Sequence, residues 1–385
     1  MPTDLTTPAS GAAPSLLFAV NEAGFLISHR LPLVQEALDR GMAVTVVCGA
    51  NSGEEALREL GLSVHTVVLS RSGFNPLQEL QTYRALLGIY RRVRPDIVHH
   101  ITIKPVIYGT RAALKAGVPA VVNAVPGMGF VFTRRGNLAA IRRAFVNQLY
   151  RSALRHPNMR VIFQNSEDMQ GFLAHGIAER ERAVLIRGSG VDLSLFPALN
   201  PPAGPVRFLL VARMLTHKGV REYVNAARIV KSEYPDWEFQ LVGDVDPGNP
   251  TSLPREALLR WQDEGVVTWL GFRADVPELM QQAHIVCLPS YREGLPKSLL
   301  EASAAGRPMI TTDVPGCREV VRADMNGLLV PARDPIALAG AMRKLGQAPD
   351  LQERMGRAAR ERAEALYSIE DVVRHTFLVY EQLSQ

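Results

Sequence analysis

Short runs of β-branched and other apolar residues, each followed by a longer amphipathic stretch, recur along the chain in two series separated by a proline-rich break at 197–205. In the first series Leu16–Val20, Ala43–Cys48, Val64–Leu69, Ile97–His100, Ala120–Asn123 and Val161–Gln164 read as strands, with helical stretches such as His29–Arg40 and Leu77–Arg92 between them. In the second, Arg207–Ala212, Trp237–Val242, Val266–Leu270, Ile285–Pro289, Met309–Thr311 and Gly327–Val330 repeat the pattern. Apolar runs without strict alternation suit parallel strands covered on both faces. Alternation of strand and helix suits doubly wound sheets. Two such series predict an α/β chain of two Rossmann-like domains, over 15–196 and 206–367, facing across a cleft. Residues 1–14, rich in Thr, Ala and Pro and without the basic start of a secretory signal, read as a disordered lead-in. Residues 368–385 read as a terminal helix that packs back on the first domain.

The length of 385 residues is too great for one ordinary core and suits two. With 47% hydrophobic and 21% charged residues the balance is that of a packed soluble protein. No apolar run approaches the roughly 18 residues of a membrane span. The three cysteines, Cys48, Cys287 and Cys317, are too widely spaced for a disulfide framework or a metal site, and suit a reducing cytosol. The net charge of +5 is unevenly spread: between Arg84 and Arg160, fourteen Lys or Arg stand against the single acid Asp96, a local charge of +13. So basic a block implies an anionic partner, which charge alone leaves open between a membrane surface, a phosphate-rich acceptor and nucleic acid.

The chemistry concentrates in the second half. Arg213 closes a strand and Lys218 follows five residues later before a helix. Two cations at the carboxyl edge of a parallel sheet can clamp a diphosphate, Arg as a fork and Lys as a compact charge. Read alone, the pair is equally a solvated loop. The stretch Glu293-Gly-Leu-Pro-Lys-Ser-Leu-Leu-Glu301 then crosses a loop into a helix, with Pro296 placed to be its first residue. The amides of that helix start, Leu295 to Ser298, can meet a sugar hydroxyl or a phosphate. Glu293 and Glu301, eight apart, can point into one cleft, one toward a sugar and the other toward a ribose. Asp244-Val-Asp246 has the look of a metal motif, but it runs into turn residues, and Arg213 with Lys218 already supplies the charge a metal would bring. No metal or other cofactor is expected.

Taken in order, Arg213 with Lys218, Gly271-Phe-Arg-Ala-Asp-Val-Pro-Glu-Leu279, Leu288-Pro-Ser-Tyr-Arg-Glu-Gly-Leu-Pro296 and Glu301 resemble the retaining GT-B glycosyltransferases of family four. Thr312-Asp-Val-Pro-Gly-Cys-Arg-Glu319 and Asn326-Gly-Leu-Leu-Val-Pro331 extend the likeness over nearly all of the second half. The resemblance implies that Arg213 and Lys218 neutralise a donor diphosphate, that Glu293 contacts the transferred sugar and Glu301 the ribose, and that backbone at Phe272 and Arg273 meets the base. It adds Gly24, Gly243, Gly294, Leu295, Pro296, Lys297 and Ser298 to the donor site. The first half is similar more loosely: Gly24 and the stretch Phe25–Gly41 look like the family's first glycine loop and its helix, with His29 at the cleft or satisfied locally.

Thr102-Ile-Lys-Pro-Val-Ile-Tyr-Gly109 resembles the branch acting on polyprenyl-diphosphate-linked sugars, of bacillosamine and O-antigen pathway type. The segment Asn123-Ala-Val-Pro-Gly-Met-Gly129 has no His where many relatives place a catalytic one. That leaves His99, His100, Asn123 or the donor phosphate as candidate bases, and puts His29, His99, His100, Lys104 and Asn123 on the acceptor side. Arg134, Arg135, Arg142, Arg143 and Arg151, interleaved with apolar residues, read as contacts to an anionic leaflet, or else as the solvated face of a core helix. The expectation is an enzyme moving a sugar, on branch resemblance an N-acetylhexosamine, from a UDP-sugar to a polyprenyl-diphosphate-linked saccharide. It would work in the cytoplasm, peripherally on the inner face of the cell membrane, and without binding nucleic acid. The alternatives are a UDP- or GDP-sugar transferase for a soluble or other lipid acceptor, and a basic nucleic-acid-binding protein, for which no recognised module appears.

Overall fold

The computed structural model describes residues 14–50, 52–69, 75–125 and 137–384, with the side chains of 137–143 left out. The first half builds a seven-stranded parallel sheet from β1 (Leu16–Val20), β2 (Val44–Gly49), β3 (Ser63–Val67), β4 (Ile97–Ile101), β5 (Ala120–Val125), β6 (Met159–Phe163) and β7 (Ala183–Leu185). The second builds a six-stranded parallel sheet from β8 (Arg207–Val211), β9 (Glu238–Val242), β10 (Thr268–Trp269), β11 (Ile285–Leu288), β12 (Met309–Thr312) and β13 (Gly327–Val330). The strand orders are 3-2-1-4-5-6-7 and 10-9-8-11-12-13, so direction reverses between β1 and β4 and again between β8 and β11. Those reversals are the crevices where doubly wound sheets receive ligands.

Helices α1 (Ala23–Asp39), α2 (Glu54–Glu59), α3 (Pro76–Val93), α4 (Thr110–Ala116), α5 (Asn137–Ala153) and α6 (Ser166–Ala174) belong to the first half. In the second come α7 (Val220–Lys231), α8 (Arg255–Asp263), α9 (Val276–Gln282), α10 (Lys297–Ala304), α11 (Pro315–Val320), α12 (Pro335–Gly346), α13 (Pro349–Leu366) and α14 (Ile369–Leu383). The unbroken apolar strands have the burial expected of parallel strands between helical layers. Along β1, Leu16, Phe18 and Val20 enter one core and Leu17 and Ala19 the core on the opposite face, the period of two of an extended chain. In β8, Phe208 and Leu210 divide from Leu209 in the same way.

The sequence reading differs from this sheet in two places. β7 is a three-residue edge strand, half-buried throughout, and too short to carry a pattern. β10 shrinks to Thr268–Trp269. The buried cysteines are all free.

The halves are joined at two adjacent crossings. Val191 N donates to Tyr367 O (2.8 Å) and Ile369 N to Val191 O (3.1 Å), so the outgoing chain and the returning chain run side by side. α14 then lies against α1 and β5, and its Val372, Phe377, Val379, Tyr380 and Leu383 enter the core on one face of the first sheet.

Candidate active site

A cleft of about 590 Å³ opens between the carboxyl ends of the two sheets, a size ordinary for a small-molecule site. From the first half it is lined by residues just beyond β1, among them Asn21, Gly24, Ser28 and His29, and by Thr102 beyond β4. From the second come Arg213 beyond β8, Lys218 before α7, and the run Glu293 to Ser298 with Glu301 beyond β11. These four groups stand at the two points of reversal, and Gln164 beyond β6 and Ser189 beyond β7 complete the lining.

Gly24 opens α1, where its amide donates to Ser52 O (3.2 Å). One turn later His29 stacks on Phe25 with ring centroids 4.3 Å apart, and its Nδ1 lies 2.7 Å from Ser28 Oγ. Burial, followed by the charges of Lys297, Arg30 and Lys218, pushes the His29 pKa down to about 3. The imidazole is thus neutral near physiological pH, able to hydrogen-bond but unable to store a proton.

Across the cleft, Lys218 Nζ meets Glu293 Oε1 at 2.6 Å and Arg213 Nη1 meets Asp246 Oδ2 at 2.8 Å. Arg213 is more than half exposed and turned to the opening. Pro296 sits one residue earlier than the sequence predicts, at the cap of α10, and the helix starts at Lys297. Helix geometry leaves the amides of Lys297 and Ser298, both lining the cleft, without intrahelical partners. Lys297 Nζ reaches across to Ser28 O (3.0 Å) and lies 3.4 Å from Glu301 Oε1. Glu301 is only 8% exposed, and burial raises its pKa against the opposing pull of Lys297. Two carboxylates, three cations and a helix start thus converge on one concave surface, suited to an anionic, hydroxyl-rich ligand.

Several sequence expectations require correction. His99, His100 and Asn123 do not reach the cleft. Neighbours along β4 point to opposite faces of the sheet, and both faces are covered. His100 is wholly buried, with Nε2 3.0 Å from Tyr90 Oη and Nδ1 2.9 Å from Asn123 Oδ1. His99 Nδ1 lies 2.6 Å from Tyr380 Oη of α14. Burial depresses the pKa of both histidines and holds them neutral. Lys104 is drawn away by buried Glu79 (Nζ–Oε1 2.6 Å). Gly243 is demanded by packing: at φ +128° a side chain there would stand 1.9 Å from Ala212 O, behind the cleft wall. Phe272, 77% exposed, and Arg273, bound to Asp275, lie beyond the lining residues. Asp246 and Asp244 face Arg213 and Arg255, and no cluster of three metal-ligating side chains occurs among the described residues. Arg134 and Arg135 lie outside the described residues, as do the side chains of Arg142 and Arg143. Arg151 is exposed and donates to His175 O (2.5 Å).

Sequence reasoning missed Asn21 and Thr102, which a topological signal, their position just after the two central strands, could have found. Thr102 stands at φ +79°, a rare conformation for a β-branched residue, and donates through Oγ1 to Asn21 Oδ1 (3.0 Å). A single π-helical turn, Pro105–Gly109, follows it. Both features concentrate at functional sites.

Two family models match the chain, one described as "Glycosyl transferases group 1" over residues 205–347 and one as "Glycosyl transferase 4-like" over 15–166. The chain belongs to the GT-B glycosyltransferases of family four. It is 29% identical over 374 residues to the N,N'-diacetylbacillosaminyl-diphospho-undecaprenol alpha-1,3-N-acetylgalactosaminyltransferase of Campylobacter jejuni, covering 93% of this chain and 96% of that one. It is 26% identical to the UDP-Gal:alpha-D-GlcNAc-diphosphoundecaprenol alpha-1,3-galactosyltransferase of Escherichia coli, over 67% of this chain and 68% of the relative. In fold it is similar to Anabaena HepE, solved in complex with UDP, with a TM-score of 0.76 and 19% identity, covering 96% of this chain and all of that one. This glycosyltransferase has, among its described residues, no helix long and apolar enough to cross a membrane.

Proposed function

We propose that this glycosyltransferase moves an N-acetylhexosamine, with retention of configuration, from a UDP-sugar to a polyprenyl-diphosphate-linked saccharide. The observation that carries the reading is the meeting of Lys218 and Glu293 at 2.6 Å within a cleft that also holds Arg213 and Glu301. Arg213, Lys218 and the start of α10 bind the donor diphosphate and stabilise the charge that grows on it as the sugar leaves. Glu293 holds the transferred sugar and Glu301 the ribose of the nucleotide. The C1–oxygen bond to UDP breaks while the acceptor hydroxyl oxygen bonds to C1 on the same face. The hydroxyl proton passes to the departing diphosphate oxygen. His29, neutral and able to hydrogen-bond, orients the sugar or the acceptor without taking that proton. No metal takes part.

The acceptor class rests on the names of the Campylobacter and Escherichia relatives, and the donor base on the same likeness and on UDP bound in the HepE structure. The +13 block between Arg84 and Arg160, with Phe145 of α5 half exposed, supports work at the inner face of a membrane, where each base adds about 1 kcal/mol near an anionic surface. The test begins with thermal shifts in UDP, GDP, ADP and CMP, with and without EDTA. Selective stabilisation by UDP that survives EDTA is expected, as is transfer from labelled UDP-N-acetylhexosamines to undecaprenyl-diphosphate-linked sugar in vesicles. Indifference to every nucleotide would overturn the reading.

A further inference from the structure

We propose that Asn165 and Asp168, residues of the first half, are positioning residues for Glu293: together they grip both of its chain neighbours from across the interface between the halves. The inference rests on the proposed role of Glu293 in transfer.

Asn165 follows β6 and caps α6. Its Oδ1 accepts from Asp168 N (2.8 Å), while its Nδ2 donates to Asp168 Oδ2 (2.9 Å) and to Gly294 O (2.7 Å). Asp168 Oδ1 in turn accepts from Arg292 Nη2 (3.2 Å). Arg292 and Gly294 flank Glu293 in the chain, so one buried amide–carboxylate pair holds the backbone after the carboxylate and the side chain before it. Asn165 is wholly buried and Asp168 is 2% exposed. At that burial, geometry is fixed and loss of a partner is expensive.

The loop is also pressed from beneath by its own half. At Gly316, near the start of α11, a side chain would stand 2.4 Å from Gly294 O and 2.6 Å from Glu293 O. α11 is itself held from the first half, where Ser166 Oγ donates to Glu319 Oε2 (2.8 Å) and Arg187 Nε to Glu319 Oε1 (2.9 Å). The Glu293 loop therefore lies between a floor in its own half and a two-point grip from the other. When the halves separate, Arg292 and Gly294 lose these partners while Lys218, in the same half as Glu293, stays with it. The backbone position of the carboxylate thus depends on the contact between the halves, whereas Arg213 and Lys218 pair within their own half.

Asn165→Ser separates the grip from the cap, because Ser caps helices well but its side chain is too short to span to Gly294 O. Asp168→Asn keeps the shape and removes the charge that faces Arg292. For each variant the expected result is a kcat lower by about tenfold to a hundredfold, with the donor KM and the UDP Kd changed by less than about twofold and faster hydrogen exchange at the amides of 292–296. An unchanged kcat, unchanged exchange in that segment, or a donor KM that rises in step with the fall in kcat would overturn the proposal. If the wild-type protein transfers no sugar, the functional reading fails, and hydrogen exchange still decides whether the grip exists.

Discussion

The ammonium of Lys218 and the carboxylate of Glu293 meet at 2.6 Å with only 20% and 10% of their side chains exposed, so the cation assigned to a donor diphosphate is already engaged by the carboxylate assigned to the sugar. On the proposed function, an arriving diphosphate would replace Glu293 as the partner of Lys218, and the freed carboxylate would turn to the sugar hydroxyls. Donor binding and presentation of Glu293 are then one exchange.

That exchange separates two substitutions. Lys218→Ala removes the diphosphate partner and leaves Glu293 without its cation, so UDP affinity and turnover both fall, turnover by about a hundredfold or more. Glu293→Gln removes the competitor for Lys218, so UDP binds at least as tightly while turnover falls by a similar factor. Calorimetric UDP titration beside steady-state kinetics distinguishes them; a Glu293→Gln protein that loses UDP affinity contradicts the exchange.

Gly316→Ala forces a methyl against Glu293 O and Gly294 O, where the nearest backbone atom would be 2.4 Å away. Overpacking of this kind costs about 1–3 kcal/mol, and the displaced loop carries Glu293 with it. Both the denaturant midpoint and kcat are expected to fall. Full activity at reduced stability would show that the loop relaxes without moving the carboxylate.

Three histidines are held neutral: His29 and His100 with pKa pushed down to about 3, and His99 well below its ordinary value, each chiefly by burial. Between pH 6.5 and about 3 the unfolded chain binds protons at His29 and His100 that the folded chain refuses, and His99 acts in the same direction. Stability is therefore greatest above pH 6.5 and declines as pH falls through that window. His29→Gln, at the cleft and outside the core, is expected to flatten the slope of the unfolding free energy there. An identical slope in the variant would show that His29 is protonated in the folded protein.

Tyr380 Oη lies 2.6 Å from His99 Nδ1, joining α14 to β4. Tyr380→Phe leaves that ring nitrogen buried without its partner, at a cost of about 1–3 kcal/mol. Urea unfolding measures it, and UDP binding in the second half is expected to be unaffected.

The sheets were legible because parallel strands covered on both faces leave a plain mark, an apolar run such as Leu16–Val20. The second-half wall of the cleft was legible because Glu293, Leu295 to Ser298 and Glu301 lie close together in the chain, so one loop and one helix turn fix their relation. The first-half wall was not. Whether His99 or His100 faces a cleft depends on what covers each face of β4, and the covers come from α14, distant in sequence from it, and from Tyr90 of α3, whose ring meets His100 only through the way α3 packs on the sheet. Asn21 and Thr102 escaped notice for the same reason, since they become neighbours only through the register of β1 on β4. The grip of Asn165 and Asp168 on the Glu293 loop spans more than 120 positions and leaves no local pattern.

The paired crossings at Val191 and at Tyr367–Ile369 act as the spine of a book. Because the chain passes between the covers along this one short edge, a swing about it would move groups the farther the more distant they lie from it. Ser189, beside the spine and on the cleft wall, hardly shifts relative to the opposite page, whereas groups toward the fore-edge travel farthest. A bulky acceptor of the proposed kind would then enter from the fore-edge, and a wedge lodged close to the spine would hold the whole book open.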